Sequence, residues 1–154
     1  MMAKESGHVP RIRRLTRPDV SEWLRMRRLL WPELSAHAIE EDTEALLNDP
    51  HTPVFVAERP DGGLCGFLEA GTRPFADGCD TRPVGYIEAW FVDADQRRKG
   101  LGRALVAAAE QWARDEGMRE MASDTGIQNE TGLMAHQALG YHETERLIHF
   151  AKRL

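Results

Sequence analysis

The 154-residue sequence is poor in the features that mark several classes of protein. Its two cysteines, Cys65 and Cys79, lack C-x-x-C spacing, so we expect reduced thiols and neither a disulfide framework nor a zinc site. No apolar run approaches the ~18 residues of a membrane-spanning helix. The 20 basic side chains are outnumbered by 25 acidic ones, for a net charge of −5. That balance argues against nucleic acid and anionic membranes as partners and is compatible with a cationic ligand.

The remaining composition is that of a soluble globular protein, with 42% hydrophobic and 29% charged residues. A chain of this length suits one domain. The N-terminal decapeptide MMAKESGHVP carries charge but no apolar stretch, so it does not resemble a signal peptide. We therefore predict a flexible leader at residues 1–10, one domain at residues 11–154, and a cytoplasmic location.

Apolar periodicity and turn residues predict an alternation of strands and helices. The predicted strands are residues 11–15, 54–58, 64–70, 86–92, 121–123 and 145–152, and the predicted helices are 20–31, 38–47, 101–116 and 133–139. The second and third strands flank the turn sequence RPDGG, which predicts a hairpin. The order β-α-α-β-β-β-α-β-α-β indicates an α/β domain with a mixed sheet.

A glycine-spaced basic turn, RRKGLG at residues 97–102, joins the strand 86–92 to the amphipathic helix 101–116. Free amides at a helix N-terminus bind anions, and glycines let the backbone approach a bulky ligand. The turn and the residue after it supply four cations: Arg97, Arg98, Lys99 and Arg103. The turn fits neither the G-x-x-x-x-G-K-[ST] nor the G-x-G-x-x-G pattern. We predict a diphosphate-binding site, with a solvated basic turn that caps a helix as the alternative.

This turn resembles the acetyl-CoA-binding motif of the GNAT acetyltransferase superfamily, and other stretches resemble its aminoglycoside 6′-N-acetyltransferases. Those stretches are Leu30-Trp31-Pro32, Gly78-Cys79-Asp80, Glu88, REMASDT at 119–125, HQALGY at 136–141 and ETER at 143–146. The resemblance implies the single-domain GNAT fold, an α/β fold with a mixed, mostly antiparallel sheet flanked by helices, whose central strands splay to admit the pantetheine arm. It also implies a homodimer that acetylates the 6′-amine of aminoglycosides with acetyl-CoA and without a metal.

The resemblance assigns two sets of residues to acetyl-CoA. The turn would hold the pyrophosphate through Arg97, Arg98, Lys99, Gly100, Leu101, Gly102 and Arg103. Backbone groups of Trp90, Phe91 and Val92 would pair with the pantetheine amides, and one of their N–H groups would polarise the thioester carbonyl. Asn129 would also hydrogen-bond the coenzyme, with an exposed loop amide as the alternative.

Glu88 is a carboxylate within an apolar strand, where it must be paired or functional. Strand alternation places it on one face with Tyr86 and Trp90. The resemblance makes Glu88 the residue that faces the acceptor sugar and orders the water or amine near the thioester. A salt bridge to a core arginine is the alternative.

The resemblance assigns four further residues to the acceptor site: Trp31, Phe75, Asp124 and Glu145. Together with Glu88, Asp124 and Glu145 would form three carboxylates that bind a polyamine. Trp31 would be an aromatic wall, and Phe75 stands where close relatives have a tyrosine. Residue type alone also fits Asp124 as a turn or cap residue and Trp31 as a core residue.

His136 stands where many members of the superfamily have a tyrosine that protonates the leaving thiolate. A histidine can donate a proton near neutral pH, so His136 is the candidate acid beside Glu88 as the candidate base. A core histidine with satisfied hydrogen bonds is the alternative.

Two other functions share the same coenzyme site. A GNAT enzyme that acetylates a polyamine or a protein amine would differ only in its acceptor pocket. A non-catalytic acetyl-CoA sensor would keep the turn without turnover. The resemblance at the acceptor site favours the aminoglycoside acetyltransferase.

Overall fold

The computed structural model describes residues 9–154, so most of the predicted leader at residues 1–10 lies outside the described residues. Within residues 9–154, the strands are β1 (Ile12–Arg14), β2 (Val54–Glu58), β3 (Leu64–Arg73), β4 (Val84–Val92) and β5 (Met121–Ser123). The α-helices are α1 (Val20–Leu30), α2 (Ala36–Glu41), α3 (Thr43–Asn48), α4 (Leu101–Asp115) and α5 (Glu130–Ala138). None of these helices is long and apolar enough to cross a membrane.

The strands form one sheet in the order β1-β2-β3-β4-β5. Every neighbouring pair is antiparallel except β4 and β5, which are parallel and joined by α4. The predicted hairpin of β2 and β3 is confirmed, and its turn contains Gly62 and Gly63 in the left-handed conformation that favours glycine. The mixed, mostly antiparallel sheet predicted from the sequence is therefore confirmed.

Helices α1 and α4 cover opposite faces of the sheet, which we call the α1 face and the α4 face. On the α1 face, Trp23 and Met26 are fully buried against β2 and β3. On the α4 face, Leu105, Ala109 and Trp112 pack against residues of β2, β3 and β4. The sheet is thus the middle of three layers, with both faces covered.

An extra residue interrupts the pairing of β3 with β4. Glu69 pairs with Ala89, but the next residue, Ala70, pairs with Ile87. Glu88 is therefore left without a partner, as a β-bulge. A bulge bends its strand and re-aims the side chain that it carries.

The bulge changes which face the later residues of β4 occupy. Ile87 packs in the core of the α4 face, and so does Trp90, three residues further on. Tyr86 and Glu88 flank Ile87 and therefore project from the opposite face. The face predicted to be shared by Tyr86, Glu88 and Trp90 is wrong for Trp90, because regular alternation does not continue through a bulge.

The predicted helix at residues 38–47 is two short helices, α2 and α3. Asp42 is the C-cap of the first and the N-cap of the second. The first helix begins after Ser35, whose side chain accepts a hydrogen bond from the Ala38 N–H. Because Ser and Asp favour caps over helix interiors, the prediction of one continuous helix is wrong here.

The predicted final strand at residues 145–152 is also wrong. Residues 141–154, which we call the C-terminal segment, have no regular secondary structure. They lie on the surface, with Ile148 80% and Phe150 92% exposed. The segment crosses the loop between β3 and β4 at Gly78, where a Cβ atom would lie 2.3 Å from Thr144 Cγ2. A strand-like sequence is not sufficient, because a strand needs a neighbouring backbone with which to pair.

A buried ion pair joins α1 to β3. Arg27 Nε lies 2.8 Å from Glu69 Oε1, and each side chain is 7% exposed. Trp23 Nε1 donates to the same carboxylate oxygen at 3.0 Å, and Arg27 also donates to the carbonyl of Ile39 in α2. Burial raises the pKa of the Glu69 carboxyl, and the Arg27 guanidinium opposes that shift. The pair therefore fixes both helices over the sheet.

We expect Arg27→Met to destabilise the fold by about 3–5 kcal/mol, because it leaves the Glu69 carboxylate buried without a counter-charge. Arg28→Met is the matched control, one residue along α1. Arg28 pairs with Glu40 at the surface, where the side chains are 47% and 49% exposed, so its loss should cost about 1 kcal/mol or less. Urea unfolding measures both losses. Equal losses in the two variants would contradict the importance of the buried pair.

Candidate active site

The ladder between β4 and β5 is short, and it ends beside the bulge. Its last pair is Ile87 opposite Ser123. After that pair β5 ends, whereas β4 continues to Val92. The two chains therefore part at Glu88 and Asp124, and we call the opening between them the β4–β5 cleft.

Alternate residues of β4 direct their backbone groups into the β4–β5 cleft. The Asp93 N–H donates to the Cys65 carbonyl at 2.7 Å, so Asp93 faces β3. Hydrogen-bonded and non-hydrogen-bonded pairs alternate along antiparallel strands, so Phe91 also faces β3, and Trp90 and Val92 face the cleft. Of the three predicted pantetheine contacts, this geometry favours Trp90 and Val92 and turns the backbone of Phe91 away.

The predicted anion-binding turn opens α4, a helix of 15 residues. Gly100 is its N-cap with φ of 80°, and no side chain caps the helix. The first amides of α4 therefore have no side-chain acceptor. Arg98 has φ of 61°, which non-glycine residues rarely adopt, so the turn is held in an unusual conformation. An uncapped N-terminus on a long helix fits a phosphate ligand.

The four predicted cations surround this turn without carboxylate partners. Arg97 Nε donates to the Val92 carbonyl at 3.0 Å, and Arg103 donates to the Ala138 carbonyl at 3.3 Å. No salt bridge among residues 9–154 involves any of the four. Uncompensated positive charge at a helix N-terminus favours an anionic ligand.

The two glycines of the turn have different structural roles. A Cβ atom at Gly100 would meet no atom within 4 Å, so that side of the turn is open. A Cβ atom at Gly102 would lie 3.1 Å from the Trp90 ring, so this glycine lets α4 approach β4. The open side at Gly100 fits the predicted approach of an anion, whereas Gly102 serves helix packing.

Charged residues that sequence analysis missed fix the start of the turn. Asp93 is buried and accepts two hydrogen bonds from Arg25 of α1 and one from Arg59 of the β2–β3 turn. Arg59 also donates to both oxygens of Asp95. These contacts join the end of β4 to α1 and to the hairpin. They link segments distant in the sequence, so no local pattern indicates them.

Charged and aromatic side chains meet on the α1 face of the β4–β5 cleft. Arg73 donates from Nε and Nη2 to the two oxygens of Glu88, at 3.0 and 2.9 Å. The Arg73 guanidinium carbon lies 3.4 Å from the centre of the Tyr86 ring, whose hydroxyl donates to Asp124 at 2.5 Å. Burial and that hydrogen bond raise the pKa of Tyr86 above its usual range. We call these four residues the acceptor cluster.

The Glu88 carboxylate is accessible to a ligand. Its side chain is 39% exposed and that of Arg73 is 42% exposed, so they form a surface ion pair. A salt bridge to a core arginine, the alternative considered for Glu88, is not what the structure contains. The Glu88 side chain lies over Gly71, where a Cβ atom would be 3.6 Å from its Cγ and Oε1 atoms.

A cavity of about 1020 Å³ lies beside the acceptor cluster, between β5, α5 and the C-terminal segment. Its walls include Arg73, Tyr86, Asp124, His136 and Glu145. The structure thus brings Asp124 and Glu145 to one cavity. Glu88 is not a wall residue and is connected to them through Arg73 and Tyr86. Trp31 and Phe75 are not wall residues either.

Trp31 and Phe75 lie on other elements. Trp31 is the C-cap of α1 and packs at the edge of the α1-face core, with the Arg27 guanidinium carbon 5.2 Å from its ring centre. Phe75 is exposed in the loop between β3 and β4, where the Arg82 guanidinium carbon lies 5.5 Å from its ring centre. The position of Trp31 fits the core alternative, and a contact of either ring with the acceptor stays a prediction.

His136 lies on the α4 face of the β4–β5 cleft, across the sheet from the acceptor cluster. Its Nδ1 donates to the Gly132 carbonyl at 2.6 Å, and its Nε2 accepts from the Ser123 hydroxyl at 2.8 Å. The ring meets Trp90 edge-on, with 5.3 Å between ring centres. Both nitrogens are thus engaged, which favours the alternative of a satisfied histidine. The role of His136 as an acid stays a prediction.

Asn129 is the N-cap of α5. Its side-chain oxygen accepts from the Gly132 N–H at 2.9 Å, and its amide nitrogen donates to Thr125 Oγ1 at 3.0 Å. A Cβ atom at Gly132 would lie 2.5 Å from that nitrogen, so the cap requires glycine there. An amide nitrogen carries two N–H donors, and Thr125 uses one of them. The predicted bond from Asn129 to the coenzyme stays a prediction.

Neither cysteine is arranged for covalent chemistry. Cys65 is buried and Cys79 is half-buried, and both are free thiols. Burial raises the pKa of both, so they are protonated near neutral pH and are poor nucleophiles. Within residues 9–154, no group of three or more His, Cys, Asp or Glu side chains is placed to hold a metal ion.

Comparison with known proteins agrees with the resemblance seen in the sequence. The model of the acetyltransferase (GNAT) family matches residues 22–141. The aminoglycoside N(6′)-acetyltransferase type 1 of Stenotrophomonas maltophilia is 39% identical over 142 residues, which cover 92% of this chain and 92% of that protein. The protein of the same name from Salmonella typhimurium is also 39% identical, over 143 residues that cover 92% of this chain and 98% of its own length.

A solved structure extends this similarity to three dimensions. AAC(6′)-Iy in complex with the bisubstrate analogue CoA-S-monomethyl-acetylneamine superposes with a TM-score of 0.88 at 37% identity. The alignment covers 95% of this chain and 99% of that chain. The predicted resemblance and fold are therefore confirmed over nearly the whole length.

We expect Gly100→Ala to weaken the binding of coenzyme A by about tenfold, roughly 1.4 kcal/mol, because its methyl group enters the open side of the turn at the N-terminus of α4. Gly117→Ala is the matched control at the other end of the same helix. Gly117 has φ of 81° and open space around its Cβ position, so both variants carry the same backbone strain. Calorimetric titration with coenzyme A measures the affinity, and urea unfolding measures the shared loss of stability. Equal coenzyme affinities in the two variants would contradict a phosphate site at Gly100.

Proposed function

The chain belongs to the acetyltransferase (GNAT) family, and from this premise we propose that it transfers the acetyl group of acetyl-CoA to the 6′-amine of aminoglycosides. The observation that carries the proposal is the match along 92% of the chain to proteins that bear this activity in their names. The geometry supports it, because a cationic turn and an anionic acceptor cluster lie at one cleft. An anionic coenzyme requires a positively charged site, and a cationic acceptor requires a negatively charged one.

The cationic turn is the proposed site of the coenzyme pyrophosphate. Residues 97–103 offer helix amides and four cations without carboxylate partners. Acetyl-CoA supplies an acetyl group that is activated as a thioester. The N–H groups of Trp90 and Val92 face the cleft, where they can pair with the pantetheine amides and polarise the thioester carbonyl. Donors fixed in a strand need no reorganisation when negative charge develops on that oxygen.

The acceptor cluster is the proposed site of the aminoglycoside. Asp124 and Glu145 line one cavity, where their negative charges would bind ammonium groups of a polyamine, and Glu88 lies beside it across Arg73. A primary amine on the exocyclic 6′ carbon can reach into the narrow β4–β5 cleft, whereas a ring amine would carry the whole sugar with it. Pocket depth therefore selects the 6′ nitrogen, and the charged rings remain outside against the carboxylates.

Catalysis in this proposal is mostly positioning. The amine attacks the thioester carbon as the neutral base, so its ammonium form must first lose a proton, through water that Glu88 orders. The C–N bond then forms, the nitrogen loses a second proton to the same water, and the C–S bond breaks with its electrons on sulfur, which leaves an amide and the coenzyme A thiolate. A thiol has a reference pKa of ~8.5, so the departing sulfur needs little help. His136 stays the candidate acid, and it would supply a proton only when both ring nitrogens carry one, because its Nδ1–H is bonded to the Gly132 carbonyl and its Nε2 contacts the Ser123 hydroxyl.

The test is acetylation of kanamycin A by the wild-type protein. We expect release of one coenzyme A thiol for each drug molecule acetylated, with NMR placing the acetyl group on the 6′ nitrogen. An analogue with a 6′ hydroxyl should bind without forming an N-acetyl product. An acetyl group on a ring nitrogen would contradict the 6′ assignment. Faster turnover of spermidine or a peptide would favour another acceptor, and binding of acetyl-CoA without any turnover would favour a sensor.

A cytoplasmic homodimer is the second part of the proposal. Four large apolar side chains of the C-terminal segment are exposed: Leu147, Ile148, Phe150 and Leu154. Within the described residues, β5 is an edge strand with β4 as its neighbour. A monomer rarely exposes an apolar patch and a bare strand edge together, and a second copy would cover both. Glu145 lies in the same segment, so assembly would also fix its place in the acceptor site. The two free thiols fit a reducing compartment.

We expect Phe150→Glu to convert the dimer to a monomer, because it buries a charge in the interface. Leu29→Glu is the control, since Leu29 is an exposed apolar residue on α1 and should leave the dimer intact. Size-exclusion chromatography with light scattering gives the mass of each species. The monomer should also have a raised KM for kanamycin A. A monomeric wild-type protein would rule the proposed assembly out.

A further inference from the structure

Arg73 occupies the centre of the acceptor cluster, although none of the proposed roles uses it. It lies at the end of β3, opposite Val84 of β4. Its guanidinium donates to both oxygens of Glu88 and lies over the ring of Tyr86, whose hydroxyl donates to Asp124. A cation therefore already stands between two of the carboxylates proposed to bind the substrate.

The surroundings of this guanidinium are those of a cation-binding site. One side is a carboxylate, the floor is an aromatic ring, and the ring hydroxyl is held by a second carboxylate. The hydrogen bonds that Arg73 donates to Glu88 raise the pKa of Arg73, so it remains charged. The Arg73 side chain therefore occupies the position that an ammonium group of the substrate would otherwise occupy.

A free carboxylate at this place would work against the reaction. A carboxylate next to an amine stabilises the ammonium form, which has no lone pair to attack the thioester. The stronger the attraction, the smaller the reactive fraction of bound substrate. An acceptor site that only attracts cations would bind its substrate well and turn it over poorly.

We propose that Arg73 is the counter-ion that prevents Glu88 from holding the reacting nitrogen as an ammonium. The proposal rests on the proposed function and concerns the same site. With Arg73 in place, the substrate is held by its other ammonium groups at Asp124 and Glu145. The reacting nitrogen passes one proton to water, and its lone pair then attacks the thioester carbon. The electrons of the C–S bond leave with sulfur, and the nitrogen loses its second proton to water to give the amide.

The other charged groups near Glu88 do not replace Arg73 in this role. Glu69 of β3 is already paired with Arg27 of α1, so that buried pair carries no net charge. Asp124, which follows β5, and the Tyr86 hydroxyl of β4 lie near Arg73, and they add no positive charge. Removing the Arg73 guanidinium therefore leaves Glu88 as an uncompensated anion at the mouth of the cleft.

The test is Arg73→Gln, with three expected results. The Kd of kanamycin A should fall about fivefold, the size of an exposed ion pair. The kcat at pH 7 should fall, and the midpoint of kcat against pH should rise by about 0.7 pH unit, since that is the same fivefold factor. The Kd of the 6′-hydroxyl analogue should not change, because a neutral oxygen gains nothing from a free Glu88.

Two variants serve as controls for charge and folding. Arg73→Lys keeps the positive charge, so its kcat profile should stay close to that of the wild type. Arg17→Gln removes an arginine that makes a similar two-bond pair with Glu44 on the surface, and it should alter neither Kd nor the pH midpoint. Urea unfolding of each variant verifies that it is folded.

The outcomes separate this proposal from the proposed function. Wild-type protein that does not acetylate kanamycin A overturns the proposed function. Wild-type turnover with an Arg73→Gln variant whose Kd is unchanged or raised, or whose pH midpoint does not move, overturns the role of Arg73 alone. Equal losses of affinity for the amine and the hydroxyl analogue would show that Arg73 only positions Glu88, and would overturn it as well.

Discussion

The site depends on the place where β4 and β5 stop pairing. Parallel pairing ends at Ile87 and Ser123, so the next residues, Glu88 and Asp124, flank an opening in a sheet whose faces are otherwise covered. Backbone groups of Trp90 and Val92 border that opening. Such groups are costly to leave unsatisfied away from water, so in the proposed function the pantetheine amides complete the sheet where the protein leaves it open. The cationic turn follows β4 directly, so the proposed anion site lies at the end of the β4–β5 cleft.

The bulge at Glu88 divides the chemistry between the two faces of the sheet. Because it shifts the alternation, Glu88 belongs to the α1 face and Trp90 to the α4 face. The acceptor cluster therefore lies on one side of the cleft, with His136 and Ser123 on the other. In the proposed reaction, the bond to nitrogen forms toward the first side, and the bond to sulfur breaks toward the second. One irregular residue in a strand is enough to separate these two environments.

The parts of the fold that the sequence predicted are those determined by local chemistry. The strands β2 to β5, helix α4 and the cationic turn follow from apolar periodicity, turn residues and glycine spacing, which act over a few residues. The contacts of Arg73 with Glu88 and of Asp93 with Arg25 and Arg59 join distant segments, so no local pattern reveals them. The bulge escaped prediction because alternation assumes a regular ladder. The final strand was predicted wrongly because apolar alternation describes a side-chain pattern and says nothing of a partner.

The four tryptophans lie in different environments, so the intrinsic fluorescence of the protein can report ligand binding. Trp23 and Trp112 are sealed in the two cores, where a bound ligand changes little around them. Trp90 lies against Gly102 at the start of α4, and Trp31 lies half-buried at the end of α1. Indole emission responds to nearby charge and polarity. An anion arriving at the turn would therefore change the emission of Trp90 while that of the two buried indoles stays constant, so unlabelled protein could report anion binding at the turn.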